Sequence, residues 1–296
     1  MRRRRLLGTA GLGAAAGLAA ALVVGASVPA NAATTTRSAA GCPAQLRLDD
    51  GACSAPIKEN SPTAFQRDQR SAKAADVARI YRSLHNAPTS SAGVTPDTTV
   101  DPGGGGTDYK LPEVANMTIY KEGQGNSKKS YTCGPSATRN MVAAMYKHRD
   151  GAYNDFGEHQ FELWEGTTTS GTSRANVAAA LNNHFSSFGH WVTTRPADRD
   201  EYLSYVISDT QYHQSVIANI DTEELSFFNG KALNHFDFVY GYDTTASTRY
   251  LYIGEEWDPI FIYGSSSYGN PYGKHKEVLA HAYNAVIKTS IHGIVA

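Results

Sequence analysis

A cysteine followed by glycine and proline heads an apolar repeat, and no other stretch constrains the chain as much. The run Ser130-Tyr131-Thr132-Cys133-Gly134-Pro135-Ser136-Ala137-Thr138 leads into Arg139-Asn140-Met141-Val142-Ala143-Ala144-Met145-Tyr146. Ala137, Met141, Ala144 and Met145 recur at helical spacing, which predicts a helix with one face in a core. Pro135 suits its first turn, where a missing N–H costs nothing. Gly151 supplies the stop. A thiol at the start of such a helix sits among unpaired N–H groups at the positive end of the dipole, which favours the thiolate. A small buried residue opening a core helix would read the same way, so the rest of the chain decides what Cys133 is for.

The chain has 296 residues, 41% hydrophobic and 19% charged, which fits one medium domain with appendages. Residues 1–32 stand apart as a signal peptide. Arg2 to Arg5 form a basic start, Leu6 to Val28 an Ala/Gly/Leu/Val run, and Ala30-Asn31-Ala32 a cleavage site. Secretion to the extracellular space is therefore expected, with the cell wall among the compatible places. The arginine run loosely resembles a twin-arginine signal but also serves ordinary export, so the route stays open. Removing the four signal arginines leaves 23 basic against 28 acidic residues. That balance carries no basic cluster and argues against nucleic acid as a partner. No other apolar run approaches the roughly 20 residues of a membrane span, so no membrane association is expected after signal removal.

The three cysteines are Cys42, Cys53 and Cys133. An odd count in an exported chain leaves one thiol over. Cys42 and Cys53 lie close together and could close a short disulfide loop, which leaves Cys133 outside any disulfide.

Residues 33–60 are polar, and Pro62 to about Asn86 reads as a helix with Phe65, Ala72, Ala75, Val77, Ile80 and Leu84 on one face. Residues 87–108 are rich in Pro, Gly, Ser and Thr, a flexible linker by composition. The 33–86 segment then reads as a separate piece, a propeptide or a small appendage, and 109–296 as the main domain. In that domain a strand is expected over Met117–Tyr120 and helices over Cys133–Asp150 and Phe156–Trp164. Another should carry Val177, Ala180, Leu181 and Phe185, and a further one should start at Asp198 with Glu201 three residues on. Strands are expected at Val216–Ile220, Phe236–Tyr242, Tyr250–Ile253 and Asn284–Ile291. Helices early and strands late predict an α+β fold with an antiparallel sheet.

Two features bear on Cys133. In His235-Phe236-Asp237-Phe238-Val239-Tyr240-Gly241-Tyr242 the aromatic residues alternate, so His235 opens a strand on the other face. Tyr250-Leu251-Tyr252-Ile253-Gly254-Glu255-Glu256-Trp257-Asp258-Pro259 reads as the hairpin partner, whose end returns beside His235. Asp258 is then placed to hold the imidazole. Competing chemistries find little support. There is no HExxH and no cysteine pair suited to zinc, the ten histidines are scattered, and no GxSxG occurs. Gly103–Gly106 lacks a strand and helix around it, so no phosphate loop is read there. No metal and no cofactor are expected. Tyr263 to Tyr272 reads either as a cleft wall or as a solvent loop with aromatic anchors.

A Cys opening a helix, a His opening a strand and an Asp after the next strand form a papain-type layout. The segments resemble cysteine peptidase family thirty-nine, the double-glycine leader peptidases. They are Cys133-Gly134-Pro135-Ser136-Ala137, Gly166–Leu181, Ser215–Ile220, His235–Asp243 and Asp258-Pro259. The resemblance spans roughly residues 110–262. It implies a papain-like fold, with the Cys-bearing helix packed on an antiparallel sheet. It also implies a Cys133–His235 pair oriented by Asp258, cleaving peptide or amide bonds through an acyl-enzyme. That family places an oxyanion-hole Gln about six residues before the Cys, where this chain has Ser127. Gln124 is the nearest and becomes the expected donor, with Asn126 next. No transporter domain accompanies the segments. The expected function is a secreted cysteine peptidase or amidase acting on a peptide or protein substrate, of open oligomeric state. The alternative is a secreted binding module that keeps the fold without the chemistry.

Overall fold

The computed structural model describes residues 42–48, 50, 52–86, 106–125 and 129–296. The expected signal segment, most of the expected linker, Asn126 and Ser127 lie outside the described residues. In chain order the elements are α1 (Ala64–Asn86), β1 (Asp108–Lys110), α2 (Pro112–Ala115), α3 (Cys133–Asp150), α4 (Glu158–Glu165) and α5 (Arg174–His184). They continue with β2 (Thr193–Thr194), α6 (Arg199–Gln211), β3 (Val216–Asp221), β4 (Asn234–Asp243) and β5 (Tyr250–Glu255). The last are α7 (Pro259–Tyr263), β6 (Gly273–Val278), α8 (Leu279–Ile287) and β7 (Gly293–Val295).

The helices start and stop where local chemistry dictates. Gly151 takes the left-handed conformation that closes α3, at φ 76°. Ser173 caps α5 through Asn176 N–H, and Asp198 caps α6 through the N–H groups of Asp200 and Glu201. All strand pairings are antiparallel, in the order β2-β7-β3-β4-β5-β6, with β1 on the far half of β4. The fold is α+β, with the cysteine helix packed on the antiparallel sheet.

Both sheet faces are covered. On one, α3 sets Met141, Val142 and Met145 against Ile217, Phe236, Phe238 and Tyr240. On the other, α6 and α8 set Leu203, Val206, Ala285 and Val286 against Val216, Ala218, Val239 and Ile253. The aromatic alternation of β4 does not run to its end. The β4–β5 register shifts between Val239 and Gly241, and past that bulge Tyr242 falls on the α6/α8 side. One extra residue inverts a period of two.

Three further expectations need correction. Met117–Tyr120 is not a strand. Asn140 of α3 takes the place of a strand neighbour, accepting from Tyr120 N–H at 2.7 Å and donating to Tyr120 C=O at 3.0 Å. Asn284–Ile291 is not a strand: its first half is the end of α8, where Leu279, Ala282, Ala285 and Val286 make an apolar stripe, and its second half is a turn. Finally, residues 42–86 are not a separate piece. Ile80 of α1 is fully buried in the α6/α8 core. Lys73 meets Asp209 of α6 at 2.8 Å and donates to Gln214 at 3.1 Å, with the side chains of Lys73 and Asp209 both buried. Cys42 and Cys53 are joined by a disulfide.

Candidate active site

The first residue of α3 is Cys133, buried at 6% exposure, and its thiol hydrogen-bonds the His235 side chain. The helix can come this close to its neighbours because Gly134 has no side chain. A Cβ there would lie 2.2 Å from Thr172 Cγ2. The first N–H groups of a helix lack intrahelical acceptors, so Cys133 begins α3 at its most electropositive point.

His235 comes from the start of β4, where Asn219 of β3 donates to its backbone oxygen at 3.1 Å. Its Nε2 lies 2.8 Å from Glu255 Oε1. A carboxylate only accepts, so Nε2 carries the proton and Nδ1 is left for the thiol. Burial pulls the His235 pKa down. The Glu255 carboxylate and the hydrogen bond to Cys133 outweigh it and hold the imidazole well above its usual range. The site thus favours an imidazolium.

Glu255 is the last residue of β5, and its Oε1 also accepts from Trp257 N–H at 2.7 Å. Asp258, expected in this role, is occupied elsewhere. Its Oδ2 pairs with Lys121 Nζ at 2.6 Å, and its Oδ1 caps α7 through Phe261 N–H at 2.9 Å. The carboxylate that meets His235 comes from the strand end the hairpin reasoning indicated, three residues before Asp258. An Asp-Pro pair is itself a helix-start signature, Asp as cap and Pro in the first turn, and this was the signal available in the sequence.

The oxyanion side also departs from expectation. Gln124 is exposed, and its Oε1 accepts from Lys121 N–H within its own turn. The side chain that reaches the cavity is Glu122, 1% exposed. Thr132 N–H donates to its Oε1 at 2.8 Å, and its own N–H donates to Glu256 C=O at 2.9 Å. Glu158 fixes the following residue, accepting from Gly123 N–H at 2.8 Å. Burial pushes the Glu122 pKa up to about 8, against the opposing pull of His235 and Thr132 N–H. Glu256 lies 3.7 Å from His235 Nε2, and burial holds its pKa well above the carboxylate range. Nothing in the sequence marks Glu122 as buried, since Lys121-Glu122-Gly123 has the composition of a surface turn.

Cys133, His235 and Glu122 share a cavity of about 320 Å³ walled by Trp257, Tyr263 and Tyr268. Of the two readings open for Tyr263–Tyr272, the cleft wall applies to Tyr263 and Tyr268. No described residue of 42–86 lines it. Larger hollows of about 540 and 650 Å³ border α6, and neither lining sets a thiol beside an imidazole. His235, Glu255 and Glu256 offer donor atoms within 4.8 Å of one another. With a thiol beside the ring, that group reads as the acid–base part of the site.

No protein-family model and no curated protein matches the sequence. Several solved structures are similar in fold. The bromelain protease from Ananas comosus in complex with the E64 inhibitor is 12% identical, over 63% of this chain and 96% of that one, at a TM-score of 0.41. Digestive procathepsin L 3 of Tenebrio molitor larval midgut is 13% identical over 78% and 89%, at 0.41. Procathepsin L2 proteinase from the same source is 10% identical over 81% and 83%, at 0.42. Nothing about the site rests on likeness at this level.

Proposed function

We propose that the chain is a cysteine peptidase or amidase of the family thirty-nine type, exported by its N-terminal signal. The observation that carries this reading is the buried chain of contacts from Cys133 through His235 to Glu255 at the mouth of a cavity. His235 takes the Cys133 proton, and the thiolate attacks the scissile carbonyl. The resulting oxyanion is met by the Cys133 N–H and by the protonated carboxyl of Glu122, whose Oε1 is held by Thr132. His235 then hands its proton to the leaving amine, and the C–N bond breaks to leave a thioester. Water, deprotonated by His235, attacks the thioester and frees the acid and the thiol. Glu255 fixes the ring and stabilises the imidazolium without transferring a proton. Trp257, Tyr263 and Tyr268 give the cavity an aromatic wall, which favours peptides with an apolar or aromatic side chain beside the scissile bond.

One feature favours the non-catalytic alternative: the cavity beside Cys133 presents an acid, Glu122, in place of the expected glutamine. An ionised Glu122 would repel an oxyanion, and a binding module would tolerate it. Alkylation decides between them. Iodoacetamide should label Cys133 of the folded wild type at pH 6 at least tenfold faster than Cys133 of His235→Ala. Equal, slow labelling of both would leave Cys133 a structural thiol and remove the catalytic reading.

A further inference from the structure

Away from the cleft, three elements converge at the last turn of α3. Glu113 lies in the first turn of α2, His148 near the end of α3, and His213 in the turn from α6 to β3. His148 Nδ1 is 3.0 Å from Glu113 Oε1, and His213 Nδ1 is 3.5 Å from the same oxygen. All three donor atoms lie within 4.8 Å of one another. The imidazoles lie face to face, centroids 3.4 Å apart and planes 13° apart. His213 holds a left-handed backbone, φ 55°. Tyr153 anchors the other side, donating to Glu113 C=O at 2.7 Å.

Hydrogen bonding alone does not complete this cluster. Among the described residues, His213 Nδ1 and Glu113 Oε2 are buried atoms without a hydrogen-bond partner. Two stacked imidazoles cannot both carry a proton cheaply, and one carboxylate offsets only one positive charge. The two ring nitrogens lie 3.0 and 3.5 Å from one carboxylate oxygen and all three donor atoms fall within 4.8 Å of one another, near enough for one ion to gather them once the stacked rings turn their edges towards it. Bonds of about 2.0–2.1 Å set tetrahedral donors about 3.3 Å apart. We propose that Glu113, His148 and His213 bind a borderline divalent transition ion such as Zn²⁺, with solvent completing its coordination. Imidazole donors disfavour Mg²⁺ and Ca²⁺, which prefer oxygen cages. The His148 and His213 side chains are 44% and 33% exposed, so the ion enters from solvent. Once bound, it ties α2 to the end of α3 and to the turn before β3.

Zinc titration of the full chain against a chromophoric chelator tests this in a Cys133→Ser background, which removes the cleft thiol as a competing ligand. One saturable equivalent is expected, weakened at least about tenfold by His148→Ala and lost in His148→Ala with His213→Ala. Zinc should raise the melting temperature of the Cys133→Ser chain and leave that of the double variant unchanged. No saturable uptake below about 100 µM zinc, or uptake unaffected by His148→Ala, overturns the proposal. Because His148 is half-exposed on the last turn of α3, its truncation spares the core. If the His213 variant does not fold, the His148→Ala titration alone decides the question.

Discussion

Replacing Glu122 by glutamine and by alanine isolates the role of a neutral acid in the cavity. With a pKa of about 8, Glu122 is about nine-tenths protonated at pH 7 and about one-tenth at pH 9. If its O–H meets the oxyanion, kcat of the wild type should fall about tenfold across that interval. Glutamine keeps the carbonyl acceptor for Thr132 N–H and supplies an N–H donor that does not titrate. Glu122→Gln should hold kcat within about threefold at pH 7 and shift the alkaline fall upward by a unit or more. Glu122→Ala removes the donor, and loss of one oxyanion contact costs about 10²–10³ in kcat with little change in KM. The assay is initial-rate hydrolysis of a fluorogenic peptide from pH 5 to 10. Rates are normalised to the Cys133 that alkylates, so misfolded protein does not enter. An unchanged alkaline fall in Glu122→Gln, or an alanine variant keeping a third of wild-type kcat, would refute the assignment.

Other consequences can be checked independently. Glu255→Gln should lower kcat by about 10²-fold or more, since it disturbs the tautomer and charge of His235, whereas Asp258→Asn should cost less than about tenfold because it touches Lys121 and the α7 cap and not the imidazole; equal effects in the same peptide assay would restore Asp258 to the triad. Gly134→Ala should destabilise by about 1–3 kcal/mol in urea unfolding, and Thr172→Ser, which removes the colliding Cγ2, should recover part of the loss. Lys73→Met strands Asp209 and should cost about 3 kcal/mol in the same experiment, while a cost near zero would mean α1 is not integral. Burial also raises the pKa of Glu165 to about 8 and of Glu158 to about 7, with Glu122 near 8. Each of these acids binds its proton more tightly folded than unfolded. Stability should therefore fall as pH rises from about 4.5 towards 8, by at most about 1.4 kcal/mol per unit for each group still titrating. A urea midpoint higher at pH 8.5 than at pH 5.5 would contradict those shifts.

The sequence made the framework legible because its signals are local. The apolar repeat and Gly151 marked α3, the face at Val177, Ala180 and Leu181 marked α5, the cap at Asp198 marked α6, and alternating aromatics marked β4. Where a distant partner decides conformation, the sequence was silent. Tyr120 looks extended, yet its backbone is satisfied by an amide from α3, 20 residues on. Strand β6 carries Lys274, His275 and Lys276, a polar run that reads as loop and is strand because it borders β5 at the sheet's edge. In the candidate site, the meeting of Cys133 and His235 was readable because both sit at element starts. The carboxylate beside His235 was not, because a three-residue difference in where β5 ends exchanges Glu255 for Asp258. Glu122 was unreadable because burial of an acid in a turn depends on Thr132, Glu158 and Glu256 together. The tie between α1 and α6 joins Lys73 and Asp209, 136 residues apart (209 − 73), and so left no local trace.

Such ties also govern how quickly this molecule can form. Thr107 meets Thr244 across 137 residues, and Tyr81 meets Asp198 across 117. Closing a loop of that length costs about 4 kcal/mol of chain entropy before any contact repays it. The helices α3 to α5 and the strands β3 to β6 can form from neighbouring stretches, but β1 joins β4, and α1 joins α6, only through those distant encounters. Refolding from urea should accordingly be slow, in the millisecond-to-second range or beyond, with helical signal recovering ahead of the thiol's protection from alkylation. During that interval Cys133 is an ordinary exposed thiol, no more reactive than cysteine in a peptide. On the proposed catalytic reading, a reactive thiolate would arise only once His235 of β4 has reached Cys133.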